Sequence, residues 1–138
     1  MMRRIILSAS VILGILSILL AENPTYVPDA TWHAPDTAAA RLNPLTTKLG
    51  AVRGGKKLFL RNCAECHGPD GTGMDKKHSA DFHLSVVQEQ SDGALFWKIT
   101  NGNADRGMPS FSKLPELERW QLVLYLRMLN QQPLSSTR

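Results

Sequence analysis

The residues best equipped for chemistry stand together at Cys63-Ala64-Glu65-Cys66-His67, which holds both cysteines of the chain. A two-residue spacer puts the two thiols on one helical turn, and the imidazole projects from the same turn. Three chemistries suit that arrangement. Covalent haem attachment adds each thiol across one vinyl group of a porphyrin and uses the histidine as an iron ligand. A dithiol redox site uses a lowered thiolate pKa to drive exchange. Half of a zinc site needs two more ligands at conventional spacing.

The rest of the chain separates these readings. A dithiol oxidoreductase places its motif after a strand in a βαβ unit, and no strand pattern precedes Cys63. A zinc site could draw on His67, His78 and His83, but there is no second cysteine pair and no zinc-finger rhythm. Haem attachment requires export, a histidine directly after the second cysteine and an apolar helical enclosure, and all three are legible. Met1 to Arg4 carries two arginines, Ile5 to Ala21 is seventeen residues without a charge, and Glu22-Asn23-Pro24 turns polar. This is an export signal. Its apolar run exceeds the roughly 7–15 residues of a cleaved core and meets the lower limit of the roughly 17–25 that span a bilayer. Residues 1–21 are therefore read as a signal peptide or an N-terminal membrane anchor, with the working part periplasmic or on the outer face of the cytoplasmic membrane.

Composition excludes other classes. The chain has 138 residues, 43% apolar and 20% charged, which fits neither a polytopic membrane protein nor a disordered chain. Residues 1–21 contribute two arginines and no acid, so the net charge of +4 becomes +2 without them. No basic excess with groove-reading motifs points to nucleic acid.

The elements that must position the motif follow from periodicity. Residues 22–50 hold Pro24, Pro28, Pro35 and Pro44 with no sustained period, and read as a Pro-rich leader or linker. As free chain, about 27 such residues would reach about 30 Å. Asp36 to Leu42 can form a short helical turn, and Tyr26 and Trp32 can alternatively lie across the body. Residues 51–62 read as a helix with Val52, Gly55, Leu58 and Phe59 on one side. Gly68 to Val87 is mostly loop. Ser91-Asp92 caps a second helix that Asn101-Gly102 closes, and Pro115 opens a third, Glu116 to Asn130. The expected fold is all-α, with three main helices and long loops in a domain at 51–131, followed by a tail at 132–138. Such a body is near the lower limit for burying its own core, so something apolar should fill its middle.

On these residues the chain resembles the monohaem class I cytochrome c family, especially its bacterial periplasmic branch, over residues 51–131. The resemblance includes Gly55 and Phe59 on the first helix and Leu122 and Tyr125 on the last, where the family crosses the two. It extends to the Gly-rich loop after the motif, to Asp92-Gly93-Ala94-Leu95-Phe96-Trp97 and to Gly107-Met108-Pro109-Ser110-Phe111. It implies one haem c held by Cys63 and Cys66, with His67 as the proximal ligand. The family supports its proximal imidazole with a loop proline carbonyl, but residues 76–83 contain no proline, which leaves the acceptor unidentified.

The distal position is open to Met74, Met108, Met128, a histidine or water. Met128 reads as core packing, and Met74 follows His67 too closely for an easy path round the haem edge. Met108 sits in a polar loop between Gly107 and Pro109, where nothing local asks for an apolar side chain, and the resemblance places the family's methionine ligand here. His33, His78 and His83 read as solvated loop surface, and Trp97 as pocket lining or helix packing. Arg41, Lys48, Arg53, Lys56, Lys57 and Arg61 form a run with no acid between Arg41 and Asn62, either a solvated face or a docking patch for an acidic redox partner. The function expected is a one-electron carrier rather than an enzyme. The alternative is a membrane-anchored subunit of a larger respiratory or dehydrogenase complex. A haem enzyme with an open distal site, such as a peroxidase, is disfavoured by His/Met ligation.

Overall fold

The computed structural model describes residues 26–45 and 49–131. Residues 1–21, expected from the sequence to serve export, lie outside the described residues, as do Lys48 and residues 132–138. In chain order the elements are α1 (Asp36–Ala39), α2 (Leu49–Asn62), α3 (Ala64–His67), α4 (Ser85–Gln88), α5 (Asp92–Asn101) and α6 (Glu116–Leu129), with 3-10 turns at Asp75–Lys77 and Ala104–Arg106. The described residues contain no strand, only one isolated bridge between Asn103 and Met108. The fold is all-α. Among the described residues no helix is long and apolar enough to cross a membrane.

The three long helices follow from the signals that predict them. Ser91 Oγ accepts the Ala94 amide at 3.1 Å and so satisfies one of the open donors of α5. Gly102, at φ 67°, ends that helix in a conformation that disfavours any side chain. Pro115 precedes α6, whose first turn carries Glu116 and Glu118 and whose last turn carries Arg127, matching the helix dipole at both ends.

The core lies where α2 crosses α6. Phe59, Trp120, Leu122 and Val123 are fully buried. Gly55 makes the crossing close: a methyl group on it would overlap the Gln121 carbonyl and stand 2.9 Å from Tyr125 Cβ. Phe59 packs its ring 5.3 Å from Tyr125 and, edge-on, 5.9 Å from Phe82. The crossing implied by Gly55, Phe59, Leu122 and Tyr125 is thus present. Phe96 of α5 stacks on Trp120 of α6 at 4.0 Å. Arg127 ties α6 to the chain before α5, donating to Asp92 Oδ1 and to the Gln88 and Gln90 carbonyls.

Of the two readings of the leader, free chain or a segment lying across the body, the second holds over residues 26–45. It is fastened to the body by polar contacts together with the packing of Tyr26 and Leu45 on the core. Trp32 Nε1 donates to the Gly102 carbonyl at 3.1 Å, and Ser91 Oγ donates to the Ala39 carbonyl at 2.7 Å. Asn43 is buried, donating to the Trp120 carbonyl at 3.1 Å and accepting the Leu45 amide at 2.9 Å. Arg41 pairs with Glu116 and lies over the rings of Phe96 and Trp120. Gly93 lets α1 approach α5, since a Cβ there would collide with the carbonyls that follow α1. The short turn expected at residues 36–42 is α1, and Tyr26 packs against the core.

Candidate haem site

Helix α2 ends at Asn62, and the Cys63 amide still reaches back to the Phe59 carbonyl at 2.8 Å, so the motif inherits the helix direction. The Cys66 and His67 amides then donate to the Cys63 carbonyl at 3.1 and 2.9 Å, closing the turn α3. Gly68, at φ 77°, stops it. The turn therefore brings Cys63, Cys66 and His67 together. Both cysteines are unbridged and half-buried.

Burial, with Cys66 beside it, pushes the Cys63 thiol up to about 12, so it is protonated at neutral pH. A dithiol exchanger needs the opposite shift. Among the described residues no group of three or more histidines, cysteines and carboxylates could hold a metal ion, which disfavours zinc.

His67 is held from two sides. Its ring packs on Phe82 at 4.6 Å between centroids, and Nδ1 stands 3.2 Å from the Ala80 carbonyl oxygen. A carbonyl can only accept, so the proton of this contact is on Nδ1 and the lone pair of the neutral ring is on Nε2. Burial also lowers the imidazole pKa, which keeps the ring neutral. A neutral imidazole with its outer nitrogen free is the form that ligates iron. Ala80 thus supplies the acceptor that the missing proline left open. The loop that carries it is fixed by Ser79, whose hydroxyl donates to the Cys66 carbonyl and accepts the Met74 amide, and by the Phe82 amide on the Gly71 carbonyl at 2.8 Å.

Met108 is carried by a second loop. Asn103 and Met108 exchange backbone hydrogen bonds, each 2.9 Å, around the turn Ala104–Arg106. Gly107 closes that turn at φ 78°, a left-handed conformation that favours glycine. At Gly102 a Cβ would meet Pro109 C at 2.5 Å, so this glycine lets the loop fold back on α5. Met108 is half-buried. A cleft of about 340 Å3, lined by Lys77, His78, Asp105 and Arg106, separates the loop after the motif from the Met108 loop.

Residues 50–126 match the family model described as cytochrome C oxidase, cbb3-type, subunit III, over more than half of the chain. The chain belongs to this family. It is a c-type cytochrome domain, and its work is haem-based electron transfer. No curated protein gives a match. The family implies covalently bound haem c, and the donor set fits such a group: two unbridged thiols and a neutral imidazole with Nε2 free lie on one turn.

Of the other residues of the cytochrome weighed in the sequence, His83 departs from its expected place, whereas His33 and His78 do not. His83, expected at a solvated surface, is half-buried: its Nδ1 and its amide both lie 2.8 Å from Oδ1 of buried Asp81. His33 and His78 are exposed, as is Met74. Met128 and Trp97 are half-buried on α6 and α5. Of the cationic run, Arg53, Lys56, Lys57 and Arg61 are exposed on α2, whereas Arg41 is committed to Glu116.

Proposed function

We propose that the chain is an extracytoplasmic one-electron carrier with a single haem c, attached through Cys63 and Cys66 and ligated by His67 and Met108. The observation that carries this reading is the His67 imidazole, anchored through Nδ1 to Ala80 and presenting Nε2 on the turn that bears both thiols. When bound, the haem iron supplies a reversible Fe(III)/Fe(II) couple. The protein's part is to fix that group and set its environment. Cys63 and Cys66 would tether it, His67 would ligate the iron with its ring orientation fixed by Ala80, and the Met108 thioether would favour the ferrous state. No substrate is altered.

The domain division follows: residues 1–21 export or anchor the chain, 22–50 form a leader whose described part straps the body, 51–131 enclose the haem, and 132–138 are a tail. Met108→Ala tests the ligand set. The variant is expected to keep its haem covalently bound, to lose the sulfur-to-iron band of the ferric spectrum, and to have a lower reduction potential. Persistence of the band would overturn the assignment.

The name of the matched family favours a second setting, a subunit of a respiratory oxidase complex retained by residues 5–21. Isolation from the native membrane distinguishes the two. Recovery in a washed membrane complex supports the subunit, and recovery as a monomer of processed mass supports the carrier.

The partner surface is testable in either setting. Arg53, Lys56, Lys57 and Arg61 present a basic face on the helix that leads into the motif. Charge reversal at Lys56 and Lys57 is expected to slow electron transfer to the natural partner by about tenfold at low ionic strength. The difference should largely vanish at molar salt, where the Debye length is about 3 Å. A salt dependence equal to that of the wild type would remove the docking role.

A further inference from the structure

The strap at residues 26–45 precedes the residues that match the family model. Its contacts are concentrated. Trp32 Nε1 donates to the Gly102 carbonyl at 3.1 Å, Asp29 Oδ2 accepts Asn103 Nδ2 at 3.1 Å, and the Arg106 guanidinium donates to the Val27 carbonyl at 2.9 Å. Arg106 Nε also lies 3.8 Å from Asp29 Oδ2. Gly102, Asn103 and Arg106 belong to the loop that ends at Met108, and Asn103 is the residue whose backbone pairs with Met108. Asp29 is itself well fixed, since Oδ1 accepts both the amide and the hydroxyl of Thr31, at 2.9 and 2.7 Å. Lys98 packs its ammonium 4.6 Å above the Trp32 ring, holding the indole against the end of α5.

We propose that residues 26–32 are a positioning strap for the distal loop, in which Asp29 and Trp32 pin the Gly102–Met108 segment and so set how readily the Met108 sulfur leaves the iron. This rests on Met108 being the distal ligand. The physical reason is that residues 104–107 are exposed, and beyond the Asn103–Met108 pair the loop is tied to α5 by Ser110 and Phe111, which bond the Thr100 and Ile99 carbonyls on the far side of Met108. The strap supplies the missing side chain contacts on the near side. Asp29 and Trp32 act through the loop and are positioning residues.

The test uses the full haem-loaded protein and four variants: Asp29→Ala, Trp32→Phe, the exchange Asp29→Asn with Asn103→Asp, and Arg41→Gln. The last loosens the strap at its distant Glu116 anchor and reports general destabilisation. Two readouts are taken. Amide hydrogen exchange at Asn103 and Met108 reports opening of the loop whatever binds the iron. The rate at which added imidazole binds the ferric protein reports departure of the distal ligand. Asp29→Ala is expected to raise both by about tenfold and Trp32→Phe by severalfold, the scale of one or two lost hydrogen bonds. The exchanged pair restores a donor and an acceptor with reversed roles and should return both to within about twofold of wild type. Arg41→Gln should leave both near wild type.

Unchanged amide exchange in Asp29→Ala and Trp32→Phe would overturn the strap's hold on the loop. Faster exchange with unchanged imidazole binding would overturn its effect on the ligand, as would an Arg41→Gln variant that matches Asp29→Ala. Failure of the underlying assignment is read separately, from Met108→Ala: imidazole binding no faster than wild type would remove Met108 as ligand and with it the strap's effect at the iron.

Discussion

Gly55→Ala is expected to destabilise the haem-loaded protein by about 3 kcal/mol and to lower its Tm by roughly 10–20 °C. The added methyl would overlap the Gln121 carbonyl, which belongs to the backbone of α6, and crowd Tyr125 Cβ. A flexible side chain could swing away, but a helix backbone cannot move without shifting the Phe59, Tyr125 and Leu122 packing that surrounds it. The loss is large for a domain whose total stability lies in the range of about 5–15 kcal/mol. Gly50 provides the comparison. It lies in the same helix, and nothing stands within 4 Å of its missing Cβ. Gly50→Ala should be neutral or stabilise by up to about 1 kcal/mol through helix propensity. Thermal unfolding followed by far-ultraviolet circular dichroism checks both, and equal melting temperatures for the two variants would show that the crossing is looser than described.

Replacing both motif cysteines should have the most complete effect of all. In Cys63→Ser with Cys66→Ser, the turn α3 is retained, because its bonds are made by backbone amides and carbonyls. A serine hydroxyl does not form the thioether, so no haem should survive denaturation with the chain. The expected result is loss of all covalent haem, measured as an intact mass equal to the bare polypeptide, against one haem per chain in the wild type. Stability should fall too, because Cys63 packs against the core and a hydroxyl is poorly placed there. Haem that stays on the denatured double variant would defeat the covalent assignment, and a wild-type mass with any number other than one haem would defeat the count.

What the sequence revealed, and what it hid, divides along a physical line. The long helices were legible because side chains report them directly: Val52, Gly55, Leu58 and Phe59 recur at helical spacing, Ser91 is a cap by its chemistry, and Gly102 and Pro115 are breakers. The motif was legible because thiols and imidazoles are rare and their spacing is informative. Contacts made to backbone carbonyls left no such trace. The partner of His67 is the carbonyl of Ala80, a group that every residue owns, so the lack of a proline in residues 76–83 did not remove the acceptor. The two readings of the leader stayed undecided for the same reason: its prolines and lack of period fit free chain, while Trp32, Asn43 and Ser91 fasten it through the carbonyls of Gly102, Trp120 and Ala39. A faint signal was available in Asn43, a polar residue next to Pro44 that becomes almost wholly buried. His83 was misplaced because burial of Asp81, two residues away, cannot be seen in a loop with no period.

The crossing of α2 with α6 also governs how the molecule is assembled. About fifty residues of chain lie between the two helices. Closing a loop of that length costs about 3.5 kcal/mol of chain entropy before any contact rewards it, and neither helix can bury its apolar face until it is closed. In a chain delivered with its N-terminus first, α6 arrives last. Cys63, Cys66, His67 and Met108 all lie within the segment that its docking encloses. The chemically competent stretch is thus the last part of the molecule to be sealed, and the direction of synthesis leaves an interval in which a bulky group can be installed before the final helix shuts it in.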